Sequence, residues 1–145
     1  MSNSTGTLLV LLLVLIAFPI FFAALWVGIT LLMSYIGGWG RLAKQYPAFG
    51  PPPTGAVLRH VTGMFGVANY KRVLTVTTTE TGLCIENRWV FRPWHPPLFI
   101  PFTAIRNARK QTLFFWEYVA FDVDELASIR LPSKVFVDTP VAIAA

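Results

Sequence analysis

The first 40 residues contain no Asp, Glu, Lys or Arg, so all 12 basic and 7 acidic side chains follow, beginning with Arg41. The chain has a single cysteine, Cys84, and cannot form an internal disulfide, which suits a reducing compartment. It has neither GxGxxG nor GxxxxGK[ST], the glycine-rich loops that bind nucleotide phosphates. Its two histidines, His60 and His95, lie away from other ligand-type residues at metal-binding spacing. These absences argue against an enzyme, and we expect no cofactor, no metal and no small-molecule substrate.

Two weak catalytic patterns remain open. The acidic residues Asp122, Asp124 and Glu125 would form a paired-carboxylate site or, as we favour, a solvated strand end or salt-bridge face. Cys84 and His95 would form a nucleophile and its base, although only their presence supports that pairing. Cys84 is better explained as a small buried side chain on a strand.

What is present is a long apolar segment. Residues 8–36 carry no charge, and a helix of these 29 residues would be about 44 Å long at 1.5 Å per residue. The hydrocarbon layer of a bilayer is about 30 Å thick, so the segment is long enough to cross once but not twice. A secretory signal peptide is the alternative, but the N-terminus has no positive charge and the apolar core is too long. We therefore predict a transmembrane anchor over residues 1–37.

Flanking charge predicts the orientation. Basic residues follow the span and none precedes it, so the positive-inside rule places the C-terminal part in the cytoplasm. The chain is expected to be a single-pass protein of the inner (cytoplasmic) membrane with its N-terminus outside. The residues predicted to lie at the membrane interface are Tyr35, Trp39, Arg41, Lys44 and Tyr46.

Small residues within the span indicate a helix-packing face. Ala24 and Gly28 are four residues apart, a spacing that lets two transmembrane helices approach closely. Trp26 lies near the middle of the span, away from the usual aromatic belt, and this indicates that one face packs on protein.

Residues 38–54 connect the anchor to a separate domain. Their first part has apolar residues at helical spacing, which predicts a short helix lying on the headgroups. Gly50 and the prolines at 51–53 then predict a stiff, non-helical spacer, with an irregular linker as the alternative. The domain boundary is expected near Thr54.

Residues 55–145 are predicted to form a mostly-β domain. Two β-rich runs flank Glu80, Thr81 and Gly82, which is a hairpin signal. "LFIPFTAI" predicts an edge or bulged strand because it contains Pro101. "QTLFFWEYVAFDVD" predicts one long strand, apolar on both faces at its start and therefore either central or covered by a partner. Further strands are expected at "AVLRHV", "MFGVANY", "LASIRLP" and "KVFVD".

The order of these segments is familiar. "LTVTTTETGLCIE" followed by "PLFIPFTAIRNARK" resembles bacterial pleckstrin-homology-like and GRAM-like domains over about residues 70–137. The chain also resembles small bacterial single-anchor proteins with a "GW…LA…YP" segment and a "HPPLFIP" strand. The resemblance implies a small barrel or sandwich. It departs from the pattern at "DTPVAIAA", which is short and holds Pro140, so we expect the usual C-terminal capping helix to be vestigial or absent. The basic spacing of phosphoinositide binders is not evident either.

The stretch "NRWVFRPWHPPLFIPF", residues 87–102, is predicted to be a docking edge. Prolines stiffen it and lower the ordering cost of binding, while tryptophan and arginine are common interface hot spots. The alternative is a barrel corner whose aromatics fill the core. The predicted docking residues are Trp89, Phe91, Arg92, Trp94, His95 and Phe99.

Charge and anchoring together predict the kind of function. Residues 41–110 hold ten basic against two acidic side chains, and this basic part adjoins the anchor, where it would favour an anionic lipid surface. Nucleic acid is disfavoured as a partner by the membrane tether. We expect a non-catalytic accessory subunit that packs its helix on a larger integral membrane complex, possible hosts being respiratory or photosynthetic. The alternative is a membrane-tethered adaptor or sensor that binds lipid or a soluble partner reversibly.

Overall fold

A computed structural model describes residues 2–50 and 53–144. It begins with helix α1 (Ser2–Gly37) and helix α2 (Trp39–Gln45), and seven strands follow. Among the described residues one helix is long and apolar enough to span a membrane, as predicted. The strands are β1 (Ala56–Phe65), β2 (Ala68–Thr78), β3 (Gly82–Asn87), β4 (Leu98–Pro101), β5 (Ile105–Leu113), β6 (Trp116–Val123) and β7 (Ala127–Pro132).

The strands form one curled antiparallel sheet, a half-barrel with the order β4-β3-β2-β1-β7-β6-β5. The predicted arrangement of one apolar helix followed by a mostly-β domain is therefore confirmed. The hairpin predicted at Gly82 is present, because β2 pairs with β3 from Thr78↔Leu83 onward and the Thr79 amide bonds the Gly82 carbonyl. β4 is an edge strand, as its proline predicted.

Three strand predictions were wrong in detail. The long run around "LFFWEY" is two strands, because Phe114 has a positive φ of 56° and reverses the chain between β5 and β6. "MFGVANY" is divided between β1 and β2 by a turn at Gly66, where φ is 59°. "KVFVD" forms a 3₁₀ turn (Ser133–Phe136), whose Val135 and Phe136 are buried in the core.

Both edges of the sheet are partly covered by other segments, which limits unwanted strand pairing. Pro47 bridges Leu98 on β4, and the Ala48 amide donates to the Pro97 carbonyl (3.1 Å). On β5 the Lys110 amide donates to Ala144, near the C-terminus. After the 3₁₀ turn the described residues contain no further helix, so residues 137–144 do not form a capping helix.

One face of helix α2 packs on the sheet. Trp39 is 0% exposed and packs against Phe65, with ring centroids 4.7 Å apart, and Leu42 is equally buried. The prediction of Trp39 as a membrane-interface residue is thus wrong, because an aromatic pocket of the β-domain takes up its ring. Tyr46 is half-buried and its hydroxyl bonds Asp124. The other predicted interface residues, Tyr35, Arg41 and Lys44, are exposed.

Candidate functional site

One face of the second half of α1 packs against the chain's own β-domain. Trp26 is partly buried, and Thr30, Ser34 and Gly37 are buried, a spacing of three or four residues that follows one helix face. Gly37 allows α1 to come close to β1. A Cβ atom at this position would lie 2.7 Å from the Phe65 carbonyl oxygen, which is too close for any other residue without a shift of the backbone. The helix and the β-domain are therefore in tight contact where β1 turns into β2.

The stretch 88–97 runs alongside this face and is held by side chains of the two helices. The Trp26 indole donates to the Val90 carbonyl (2.8 Å), and the Ser34 hydroxyl donates to the Trp94 carbonyl (2.7 Å). The Trp39 indole donates to the Pro96 carbonyl at 2.9 Å. The stretch contains three prolines, which have no backbone N–H to donate, so it cannot pair as a regular strand. The side-chain donors of the helices instead satisfy backbone carbonyls that strand pairing leaves free.

His95 lies inside an aromatic cluster and is 1% exposed. Its Nδ1 donates to the Pro93 carbonyl (2.8 Å), and its Nε2 accepts from the Tyr70 hydroxyl (2.7 Å). Burial lowers the pKa of His95 and raises the pKa of Tyr70, so both are neutral at pH 7. His95 therefore positions the stretch from within the core, and its prediction as a surface docking residue is wrong.

The other predicted docking residues divide into two groups. Trp89, Arg92 and Trp94 are exposed. Phe91 is partly buried and contacts the Trp26 ring, with centroids 5.2 Å apart, while Phe99 is partly buried on β4. The exposed members thus form the outer surface of a stretch whose inner side is already occupied by α1. Binding of a partner there stays a prediction.

A half-open groove of about 380 Å³ lies between residues 47–50 with Pro53 and the β3–β4 edge, and Cys84, Glu86 and Phe99 line its walls. The Cys84 thiol is buried, and burial together with the nearby Glu86 raises its pKa, so the reactive thiolate is disfavoured. Cys84 lines this groove, whereas His95 bonds Tyr70 and Pro93 in the aromatic cluster, and no hydrogen bond joins Cys84 to His95 among the described residues. The groove therefore presents no activated nucleophile.

The acidic residues near the end of β6 are engaged in local hydrogen bonds. Asp122 accepts from Ser128 (2.7 Å) and Asn107 (3.2 Å), which hold the pKa of Asp122 below its ordinary value. Asp124 accepts from Tyr46 and forms an ion pair with Arg106 at 3.4 Å. The two carboxylates therefore stabilise turns and strand ends. Within the described ranges no three His, Cys, Asp or Glu side chains lie close enough to hold a metal ion.

The tip of the β5–β6 hairpin, residues 113–116, was not predicted from the sequence. All four of its side chains are apolar and exposed, and Phe115 is 99% exposed. No Gly, Asn or Asp marks the turn, so the segment has the pattern of a continuous strand. The one feature of the sequence that pointed to this tip was the presence of apolar residues on both faces near the start of the predicted strand. Monomeric proteins seldom leave such a cluster uncovered.

A second uncovered surface lies on α1, on the side away from the β-domain. Residues 24, 28, 32 and 35 are exposed, and at 100° per residue they lie opposite the buried face that contains Thr30 and Ser34. No atom lies within 4 Å of the position where a Cβ on Gly28 would be. The pair Ala24 and Gly28, predicted to pack helices, thus faces outward.

Comparison with protein-family models, with curated proteins and with solved structures finds no match. The resemblance to pleckstrin-homology-like and GRAM-like domains therefore stays a prediction.

Proposed function

We propose that the chain is a non-catalytic, single-pass subunit of the inner membrane. Its helix packs against a larger integral membrane complex, and its β-domain rests on the cytoplasmic face of that complex. The observation that carries this proposal is the outward face of α1, which stays uncovered along a helix with more apolar length than a bilayer needs. His95 and Cys84 are both buried, so neither offers an exposed catalytic side chain.

The apolar part of α1 is longer than the hydrocarbon layer that it would cross. The uncharged residues 8–36 extend about 44 Å as a helix, against a hydrocarbon layer of about 30 Å. Tilt alone would have to reach roughly 47°, beyond the usual range of up to 40°. About 14 Å of apolar helix therefore needs another cover. The β-domain covers one face only, and Ile29, Leu32 and Ile36 remain exposed on the others.

The hairpin tip gives the same proposal a second contact. β6 runs about 23 Å, at 3.3 Å per residue, from the tip to the turn after Val123, where the Arg41 side chain donates to the Leu126 carbonyl. A single partner that covers both α1 and the hairpin tip would have to extend along this length of the β-domain. A large complex meets this requirement better than a small soluble ligand.

The test is purification of the full chain from native membranes in mild detergent. Stoichiometric co-purification with integral membrane proteins is expected. Gly28→Leu should weaken it, because the larger side chain blocks close helix approach while the open space around Gly28 leaves the fold unchanged. Gly6→Leu is the matched control, since Gly6 is equally open in the same helix.

A lone monomer at every detergent condition would contradict the subunit proposal and favour the second candidate. That candidate is a membrane-tethered adaptor or sensor, whose β-domain binds lipid or a soluble partner reversibly. The exposed hairpin tip is the observation that favours it, because a tip on a two-stranded hairpin is accessible without any larger assembly.

A further inference from the structure

We infer that the turn at residues 88–92 binds anionic phospholipid headgroups of the bilayer that α1 crosses. This inference rests on the membrane anchoring in the proposed function and is independent of any partner subunit. It assigns the predicted docking stretch a lipid ligand at one end rather than a protein.

The depth of the turn follows from its backbone. Residues 89–91 form a 3₁₀ turn, and residues 92–97 lie outside any strand. Irregular backbone exposed to lipid is not tolerated within the hydrocarbon layer. The turn lies level with Trp26, whose indole bonds the Val90 carbonyl at 2.8 Å. The hydrocarbon layer must therefore end on the N-terminal side of Trp26.

The apolar length before Trp26 agrees with that boundary. Residues 8–25 are 18 residues, or about 27 Å of helix, close to the roughly 30 Å of a hydrocarbon layer. The first 18 apolar residues are thus sufficient to span. The turn at residues 88–92 then lies in the headgroup layer, and Trp94 lies farther out. Ser34, which bonds Trp94, is eight residues or about 12 Å beyond Trp26, whereas the headgroup layer is about 5–7 Å thick.

The side chains of the turn suit anionic headgroups. Trp89 is 73% exposed, and tryptophan is enriched at the headgroup level of membrane proteins. Arg88 and Arg92 are exposed, and neither guanidinium has a carboxylate within salt-bridge distance in residues 2–50 and 53–144. A third exposed arginine, Arg72, precedes Val73, whose carbonyl accepts the Arg88 amide at 3.0 Å. Arginine binds phosphate oxygens in a bidentate manner, so unpaired guanidiniums at this depth favour phospholipid.

The position of the turn can be measured in the full chain reconstituted into vesicles. Cys84→Ala removes the buried native thiol, so that an environment-sensitive fluorophore labels only Trp89→Cys or, as the control, Val67→Cys. Val67 is 76% exposed, close to the 73% of Trp89, and lies in the β1–β2 turn, outside both the stretch 88–97 and the hairpin tip. In vesicles of phosphatidylcholine with phosphatidylglycerol, the label at residue 89 should show blue-shifted emission and quenching by lipids brominated near the headgroup. The label at residue 67 should report water.

Water-like emission from residue 89 in these vesicles would overturn the inference. Shielding of residue 89 in native membranes but not in pure lipid vesicles would also overturn it, because it would assign the turn to a protein partner. Alkaline extraction checks insertion of α1 separately. A lipid-exposed residue 89 in a chain that co-purifies with nothing would leave this inference intact and contradict only the subunit proposal.

The charge requirement has its own measurement. The labelled full chain in maltoside micelles is titrated with phosphatidylglycerol, and the apparent affinity is read from the emission of residue 89. Arg88→Gln and Arg92→Gln should each weaken it about fivefold, and together about 25-fold. The control is Arg109→Gln with Lys110→Gln on β5, which should leave the affinity unchanged. If the control variant lost as much affinity for phosphatidylglycerol, the attraction would depend on overall charge only, and a binding site at residues 88–92 would be overturned.

Discussion

The molecule has two exposed aromatic segments, the stretch 88–97 and the hairpin tip 113–116, and they are built in opposite ways. The stretch has little regular structure and is held by side-chain hydrogen bonds from the helices, such as Ser34 to the Trp94 carbonyl. The tip closes a regular ladder that ends at the pair Leu113↔Trp116, and its side chains contact almost nothing. Exposure alone therefore does not define a binding surface. The inner side of the stretch is already used for folding, whereas the whole tip is free.

The largest expected effect tests whether the stretch is part of the fold. Trp39→Ala removes a fully buried ring and the donor to the Pro96 carbonyl, so it should lower the free energy of unfolding by about 3–5 kcal/mol. Chemical unfolding of the full chain in detergent, followed by circular dichroism, measures this. Trp116→Ala at the tip is the control and should change stability by less than about 0.5 kcal/mol. Similar values for the two variants would remove the contrast between the segments.

A smaller effect is expected from a single donor to the stretch. Ser34→Ala leaves the Trp94 carbonyl without its partner and should cost about 1 kcal/mol, with faster amide exchange confined to residues 88–97. Thr7→Ala is the control, because the Thr7 hydroxyl also bonds a backbone carbonyl, that of Asn3, but within α1 itself. Hydrogen exchange with mass spectrometry compares the two. Equal protection of the stretch in both variants would show that Ser34 does not hold it.

The sequence was sufficient for features that depend on local pattern. The uncharged run of residues 8–36 predicted α1, the Glu80-Thr81-Gly82 signal predicted the β2–β3 hairpin, and Pro101 predicted an edge strand. Each of these follows from the length, polarity or backbone restriction of adjacent residues.

Features that depend on distant residues were missed. The apolar residues of α2 have the same helical spacing whether lipid or protein covers them. Trp39 lies in the core because its ring packs in the aromatic pocket around Phe65, which is distant in the sequence. His95 is buried because Tyr70, 25 residues earlier, completes its hydrogen bonding. The turn at Phe114 has no glycine, so its positive φ is imposed by the pairing of β5 with β6. The donors Trp26 and Ser34 lie in a run predicted to meet lipid, and nothing local indicates that they bind the stretch.

The smallest effect on folding is expected at the tip. Phe115→Ser replaces a side chain that is 99% exposed, so the unfolding free energy should change by less than about 0.5 kcal/mol. If the tip contacts the host complex, the same change should reduce co-purification strongly, since a truncated hot-spot side chain costs about 2 kcal/mol or more of binding. Thr112→Ser, a conservative change on the exposed end of β5, should alter neither measurement. Unchanged co-purification of Phe115→Ser would show that the tip is free in the complex, leaving the outward face of α1 as the surface that binds it.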